Sequence, residues 1–153
     1  TTDEASMEEQ PGMEREGITN DALGDVYGDN MNGAAPGTQA DLVSNVGDRV
    51  FFGYDRYDLT PEARQTLEKQ ATWLNQYPNL SVTVEGHADE RGTREYNLAL
   101  GERRANAIQR FLIVNGASRG QMETVSYGEE KPAVRGTSDS ARAQNRRVEL
   151  IFQ

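Results

Sequence analysis

Leu80, Val82 and Val84 alternate with Ser81, Thr83 and Glu85, the two-residue period of a strand with one buried face. Within ten residues that period changes. Tyr96, Leu100, Ala107, Phe111 and Val114 recur near one helical face, with Ile108 and Leu112 beside them, and predict a helix over residues 94–114. Between the two lies a turn carrying His87, Asp89, Glu90, Arg91 and Gly92. A strand that runs through a charged turn into a long helix restricts the chain to folds that lay helices on a sheet. It also nominates a ligand site, because α/β folds hold ligands where a strand end faces a helix.

The flanking segments fit the same plan. Residues 50–54, Val-Phe-Phe-Gly-Tyr, predict a strand, with residues 55–58 as its polar exit. Thr60 is placed to cap a helix, with Pro61 and Glu62 in the first turn. Ala63, Leu67, Ala71 and Leu74 make one apolar stripe, and Trp73 at its border is expected in the core. Pro78 and Asn79 end that helix, and Asn115-Gly116 ends the next. Further strands are predicted over residues 122–127 and 147–153, with one helical turn over 141–145. The resulting order is strand, helix, strand, helix, strand, strand. It describes an α/β sandwich with its helices packed on one face of a single mixed sheet.

Charge divides the chain in two. Ten of its 25 acids and one of its 16 bases fall in residues 1–45, which leaves residues 46–153 with 15 of each. A neutral domain behind an acidic arm argues against general nucleic-acid binding, which needs a net basic face. The arm is rich in Gly, Asn, Asp and Glu and poor in large apolar residues. It cannot bury enough surface to offset its ordering entropy, so residues 1–45 are expected to form a flexible, disordered tether. As a coil that tether averages on the order of 35–40 Å end to end. The chain has no cysteine, which removes disulfides and thiolate metal sites.

Gly86-His87-Ala88-Asp89 is followed by Gly92, Tyr96-Asn97, Leu100 and Arg104-Ala105, and the chain closes on Asn145-Arg146-Arg147-Val148-Glu149. Together these motifs resemble the signature of OmpA-like peptidoglycan-binding domains, most closely the lipoprotein branch of the Tol-Pal system. The resemblance implies an OmpA-like domain over residues 46–153. It also implies that Asp89 and Arg104 grip the diaminopimelate of a peptidoglycan stem peptide. Asp89 would accept from the ammonium, and Arg104 would take the carboxylate through its planar fork. The two are expected to pair with each other when the site is empty. Asp55 and Tyr57 match groove-lining positions of the lipoprotein branch. Gly53 departs from the family, which usually has an acid there. Thr93 and Asn97 offer donors and acceptors at the turn and helix start, and Arg146 is placed to reach a stem-peptide carboxylate. Asn97 and Asn145 can equally fix loops by bonding the backbone. The family further implies a lipid on an N-terminal cysteine that this sequence does not contain, an outer-membrane location facing the periplasm, and TolB as a partner. No cofactor is implied.

Two other classes compete. One is a periplasmic muropeptide-processing enzyme using His87 with Asp89 or Glu90. Against it, zinc needs three or four ligands and the chain has a single histidine. A Ser-His-Asp triad would need a nucleophile elbow that the sequence lacks. The other is the same wall-binding domain serving a porin tail or a flagellar stator. No apolar run of about 18 residues supplies a membrane helix for it.

Overall fold

The computed structural model describes residues 33–153, together with a backbone pairing of Glu14–Arg15 with Gly17–Ile18. The expected tether over residues 1–45 therefore lies mostly outside the described residues. The chain divides into two units, Thr1–Asn45 and Val46–Gln153. In the first, the Thr38 hydroxyl accepts from Asp41 N at 3.2 Å and caps the short helix Gln39–Asp41. The Asp41 carboxylate in turn accepts from Gly37 N and Asn45 Nδ2.

The second unit runs β1 (Arg49–Phe51), α1 (Pro61–Gln76), β2 (Val82–His87), α2 (Arg94–Val114), β3 (Met122–Gly128), α3 (Asp139–Asn145) and β4 (Arg147–Phe152). The sheet order is β1-β4-β2-β3. β2 and β3 are parallel and are joined by α2, the crossover a parallel pair requires. β4 runs antiparallel to both β1 and β2. The single mixed sheet is as expected, and β2, which leads into the charged turn, lies inside it.

Register decides which face receives the helices. Val82, Val84 and Gly86 align with Phe152, Leu150 and Val148 on one side and with Met122, Thr124 and Ser126 on the other. Trp73 of α1 meets this face, its ring 5.5 Å from that of Phe152. Ala63, Leu67, Ala71 and Leu74 are buried with it, as their stripe predicts. α2 approaches so closely that a Cβ on Gly86 would stand 1.8 Å from Gly101 O. Only two glycines allow helix and strand backbones to meet at this distance.

Two expectations need correction. The buried face of α2 is Asn97, Leu100, Gly101, Arg104, Ala105, Ile108 and Leu112. Tyr96 and Val114, assigned to that face from spacing, are 46% and 83% exposed. Apolar spacing misplaced the face because Gly101 sets the helix–strand contact and two polar side chains, Asn97 and Arg104, are the ones turned inward. β1 is also shorter than predicted and ends at Phe51. Beyond it, side chains take the carbonyls: Arg146 Nε donates to Phe52 O and Arg104 Nη2 to Gly53 O.

The opposite face of the sheet is polar. Glu85 and Glu149 are cross-strand partners there, and Arg147 bonds Glu149. His87 Nε2 lies 3.2 Å from Glu85 Oε1, and the ring stacks on Tyr127 with centroids 5.7 Å apart. His87 Nδ1 is buried with no partner among the described residues. Burial pushes the imidazole down to about 3, and the nearby Arg147, Lys131 and Arg49 add to the effect.

Two outcomes follow from this packing. Gly86→Ala should destabilise the domain by about 3 kcal/mol or more in urea denaturation, since the methyl group meets main chain that cannot yield. The second concerns pH. The folded pKa of His87 lies below its ordinary value of 6.5, so the folded state binds fewer protons between the two values. That stabilisation is complete above pH 6.5 and is lost as pH falls toward about 3. Glu85, its carboxyl raised by burial and by Glu149, acts in the opposite sense from its own lower range. The urea midpoint should therefore fall from pH 7 to pH 5, and His87→Phe should flatten that slope.

Candidate functional site

The turn between β2 and α2 is held from several sides. Ala88 N donates to Gly128 O at 2.8 Å, which carries the β2–β3 pairing one residue past the strand. Gly92 adopts φ +104, a left-handed conformation that glycine tolerates. The Thr93 hydroxyl accepts from Tyr96 N at 3.1 Å and starts α2 as its cap. Asn97, 2% exposed, donates from Nδ2 to Arg91 O at 3.1 Å and to Glu129 at 2.7 Å. Glu90 is tied to α3 by Arg142 Nε at 2.7 Å.

A pocket of about 220 Å³ opens beside this turn, lined by Tyr54, Asp55, Ala88, Asp89, Arg91, Gly92, Tyr96, Asn97, Leu100 and Arg104. It is smaller than the roughly 300–1,000 Å³ of a drug-sized site and suits the headgroup of one amino acid. Of the predicted residues it gathers Asp55, Asp89, Asn97 and Arg104. Thr93, Tyr57 and Arg146 do not line it. Thr93 is occupied as the cap, and Tyr57 is half-exposed with the Arg103 guanidinium 6.0 Å from its ring. Arg146 supports the pocket from behind, reaching Phe52 O at 2.8 Å and Asp89 Oδ2 at 3.3 Å.

Arg104 is fully buried. Its Nε donates to Arg56 O at 2.8 Å, Nη1 to His87 O at 2.8 Å and Nη2 to Gly53 O at 3.1 Å. The guanidinium also lies 5.2 Å from the Phe52 ring. Burial, reinforced by the neighbouring Arg146, pushes its pKa down to about 10, so it stays charged at neutral pH. Its bonds draw the loop after β1 onto the end of β2. Within that loop Asp55 has φ +54, the one left-handed non-glycine among the described residues. Such a conformation is uncommon outside glycine, and aspartate is among the residues that best tolerate it. The Tyr96 hydroxyl donates to the Asp55 carboxylate.

Asp89 is 5% exposed. Burial pushes its carboxyl up, but bonds from Arg91 and Arg146 outweigh burial and hold it below the usual carboxylate range. Arg91 grips it through Nε at 3.2 Å and Nη2 at 2.8 Å. Asp89 thus pairs with Arg91 and Arg146, whereas Arg104 bonds main-chain oxygens. The expected resting pair of Asp89 with Arg104 is replaced by this arrangement, although both side chains reach the same pocket.

Spacing did not nominate Tyr54, Arg91 or Tyr96. Arg91 lies in the nominated turn and Tyr96 in the family motif, but neither was named as a site residue. His87, Asp89 and Glu90 have no partner in common: His87 bonds Glu85, Asp89 bonds arginines, and Glu90 bonds Arg142. No group of three or more His, Cys, Asp or Glu side chains among the described residues is arranged to hold a metal.

Asn145, 3% exposed, accepts from Ala133 N and Val134 N and donates to Val134 O, which fixes the loop before α3. This is the loop-fixing role its chemistry allowed.

Comparison with known proteins points in one direction. The OmpA family model matches residues 51–146. A peptidoglycan-associated lipoprotein of Agrobacterium fabrum is 53% identical over 119 residues, covering 78% of this chain and 67% of that protein. One from Rhizobium meliloti is 49% identical over 138 residues, covering 90% and 77%. The crystal structure of the peptidoglycan-associated lipoprotein from Burkholderia pseudomallei matches with a TM-score of 0.67 at 42% identity, covering 69% of this chain and 90% of that one.

The burial of Arg104 carries its own prediction. Arg104→Met removes the side-chain donor from three main-chain carbonyls. Gly53 O keeps its bond from Arg56 N at 3.2 Å, and the lost bonds to Arg56 O and His87 O cost about 1–3 kcal/mol each if the carbonyls stay buried. Urea denaturation should show a loss of at least about 3 kcal/mol. Arg104→Lys should recover only part of it, because one ammonium cannot reproduce three bonds along a planar fork.

Proposed function

Since this chain belongs to the OmpA family, we propose that its Val46–Gln153 unit is a non-catalytic module that binds peptidoglycan through the diaminopimelate of a stem peptide. The observation that carries this reading is a small pocket into which a buried carboxylate, Asp89, and a buried guanidinium, Arg104, both reach. Diaminopimelate carries an ammonium and a carboxylate on one carbon, so it needs both signs of charge within one small volume. Asp89 takes the ammonium. Arg104 spends three of its five N–H groups on carbonyls, which leaves two for the ligand carboxylate. Asp55 and Asn97 also line the pocket, with Thr93 capping α2 and Arg146 bonding Asp89 beside it; Tyr57 is proposed as an outer contact for the longer stem peptide.

On this reading the protein ties the outer membrane to the cell wall from the periplasmic side, as part of the Tol-Pal system that maintains the envelope during division. A lipid at the N-terminus grips one layer, the pocket grips the other, and residues 1–45 form the tether between them. Confinement near a polymeric wall lets a modest affinity per site suffice. TolB is the proposed protein partner, sharing the surface around α2 and the turn, so that TolB and muropeptide weaken each other's binding. A hydrolytic role for His87 finds no support, since its imidazole faces Glu85 and Tyr127 and does not line the pocket.

Calorimetric titration with a diaminopimelate-containing stem peptide tests the reading. The wild type should prefer that peptide over its amidated form and over the lysine analogue, which lacks the carboxylate. Asp89→Asn should lose most of the binding while keeping the fold, at a lower thermal midpoint than the wild type because its bonds from Arg91 and Arg146 lose their charge. Equal affinity for the lysine analogue would rule out a pocket that reads the zwitterion.

A further inference from the structure

We infer that Arg91 is a resident cation in the ammonium subsite and sets the specificity of the pocket by having to be displaced; this rests on the proposed binding of a zwitterion. The argument is a count of lone pairs. An ionised carboxylate offers about four acceptor positions. On Asp89, Oδ1 accepts from Arg91 N at 3.0 Å and from Arg91 Nε at 3.2 Å. Oδ2 accepts from Arg91 Nη2 at 2.8 Å and from Arg146 Nη1 at 3.3 Å. All four positions are taken, three of them by one residue. An incoming ammonium finds none vacant.

Something must leave, and the partners differ in how firmly they are held. The Arg91 N–H is main chain in the turn, fixed further by the Asn97 bond to Arg91 O. Arg146 is anchored at its other end on Phe52 O, and its side chain is 16% exposed. The Arg91 side chain is 33% exposed. Its other contact is the Tyr54 ring, 3.9 Å from the guanidinium carbon, and Tyr54 is itself mostly exposed. The guanidinium of Arg91 is therefore the one donor that can swing into solvent without breaking the turn or the floor of the pocket. Its departure frees one lone pair on each oxygen of Asp89, enough for an ammonium that bridges both.

The exchange acts as a filter. An internal cation already satisfies the buried carboxylate, so a ligand gains only by supplying a cation that satisfies it better. A carboxylate-only or amine-acetylated compound leaves Arg91 in place. A ligand with the ammonium opens the subsite and still meets the Arg104 side of the pocket. Selectivity between them comes from the exchange, since uncharged groups cannot replace a charge-assisted bond.

Titration of the full chain separates this inference from the function it rests on. Wild type, Arg91→Ala and Arg91→Lys are compared with the diaminopimelate stem peptide and with its amine-acetylated form. Arg91→Ala should bind the free-amine peptide about tenfold tighter, an effect of about 1.4 kcal/mol. Arg91→Lys, which restores a cation, should return toward wild type, and the acetylated peptide should show no gain with either variant. In the wild type the Arg91 Nε–H resonance should move to that of a solvated guanidinium at saturation, while that of Arg146 stays. Unchanged or weaker binding by Arg91→Ala, or an Arg91 resonance that holds its position, overturns the plug and leaves the peptidoglycan reading intact. Binding seen only after Arg91→Ala supports the plug and removes the proposed ligand of the native protein. Absence of binding by every form overturns both.

Discussion

The fold of the pocket depends on a single buried cation. Arg104 sends one bond each to Gly53 O, Arg56 O and His87 O, so it joins the loop after β1 to the last residue of β2 through a side chain of α2. Two of these carbonyls, Gly53 O and Arg56 O, lie beyond the regular ladders and the third ends β2, and buried carbonyls without donors cost about 1–3 kcal/mol each. A guanidinium suits the task because its N–H groups diverge in one plane and it remains charged when desolvated. The cost of burying that charge is offset by dense oxygen contacts and by the nearby carboxylates of Asp89 and Asp55, which raise its pKa against burial.

From that anchor the remaining geometry follows. β1 ends early because Arg146 and Arg104 supply the donors for Phe52 O and Gly53 O in place of a neighbouring strand. The loop can then turn sharply enough to hold Asp55 at φ +54 and bring it under the Tyr96 hydroxyl. On the other side of the pocket the close approach of Gly86 and Gly101 fixes the depth of α2. Asp89, two residues past the strand, therefore meets residues that are already in place.

Much of the architecture was legible in the sequence because it rests on periodicity. The α1 stripe, the β2 and β4 alternations, the Thr60 cap and the left-handed Gly116 are local signals, and local physics produced them. The inward face of α2 was not legible in this way. Asn97, Gly101 and Arg104 occupy it because of partners that are distant in sequence, such as Gly53 and Glu129. A scan for apolar spacing discounts such residues, so it chose Tyr96 and Val114. The pocket was half legible for the same reason. Motif positions named Asp89 and Arg104, but no motif says which carboxylate an arginine will choose. Arg91, though in the nominated turn, was given no role, because its bonds to Asp89 depend on how the turn folds back rather than on spacing.

Charge balance gives the pocket its character. Its carboxylates, Asp55 and Asp89, face two guanidinium groups, Arg91 and Arg104, within a domain of 15 acids and 15 bases. Such a site exerts little long-range pull, because opposite charges cancel beyond a Debye length of about 8–10 Å. Recognition must come from short contacts, and an approaching ligand gains nothing until it replaces bonds already made inside. A neutral zwitterionic headgroup meets that condition at least cost, since it brings one partner for each sign and leaves no net charge behind. A singly charged group would satisfy one side and strand the other in a poorly solvated pocket. The balance of fixed charges thus argues for the same class of ligand as the position of the side chains.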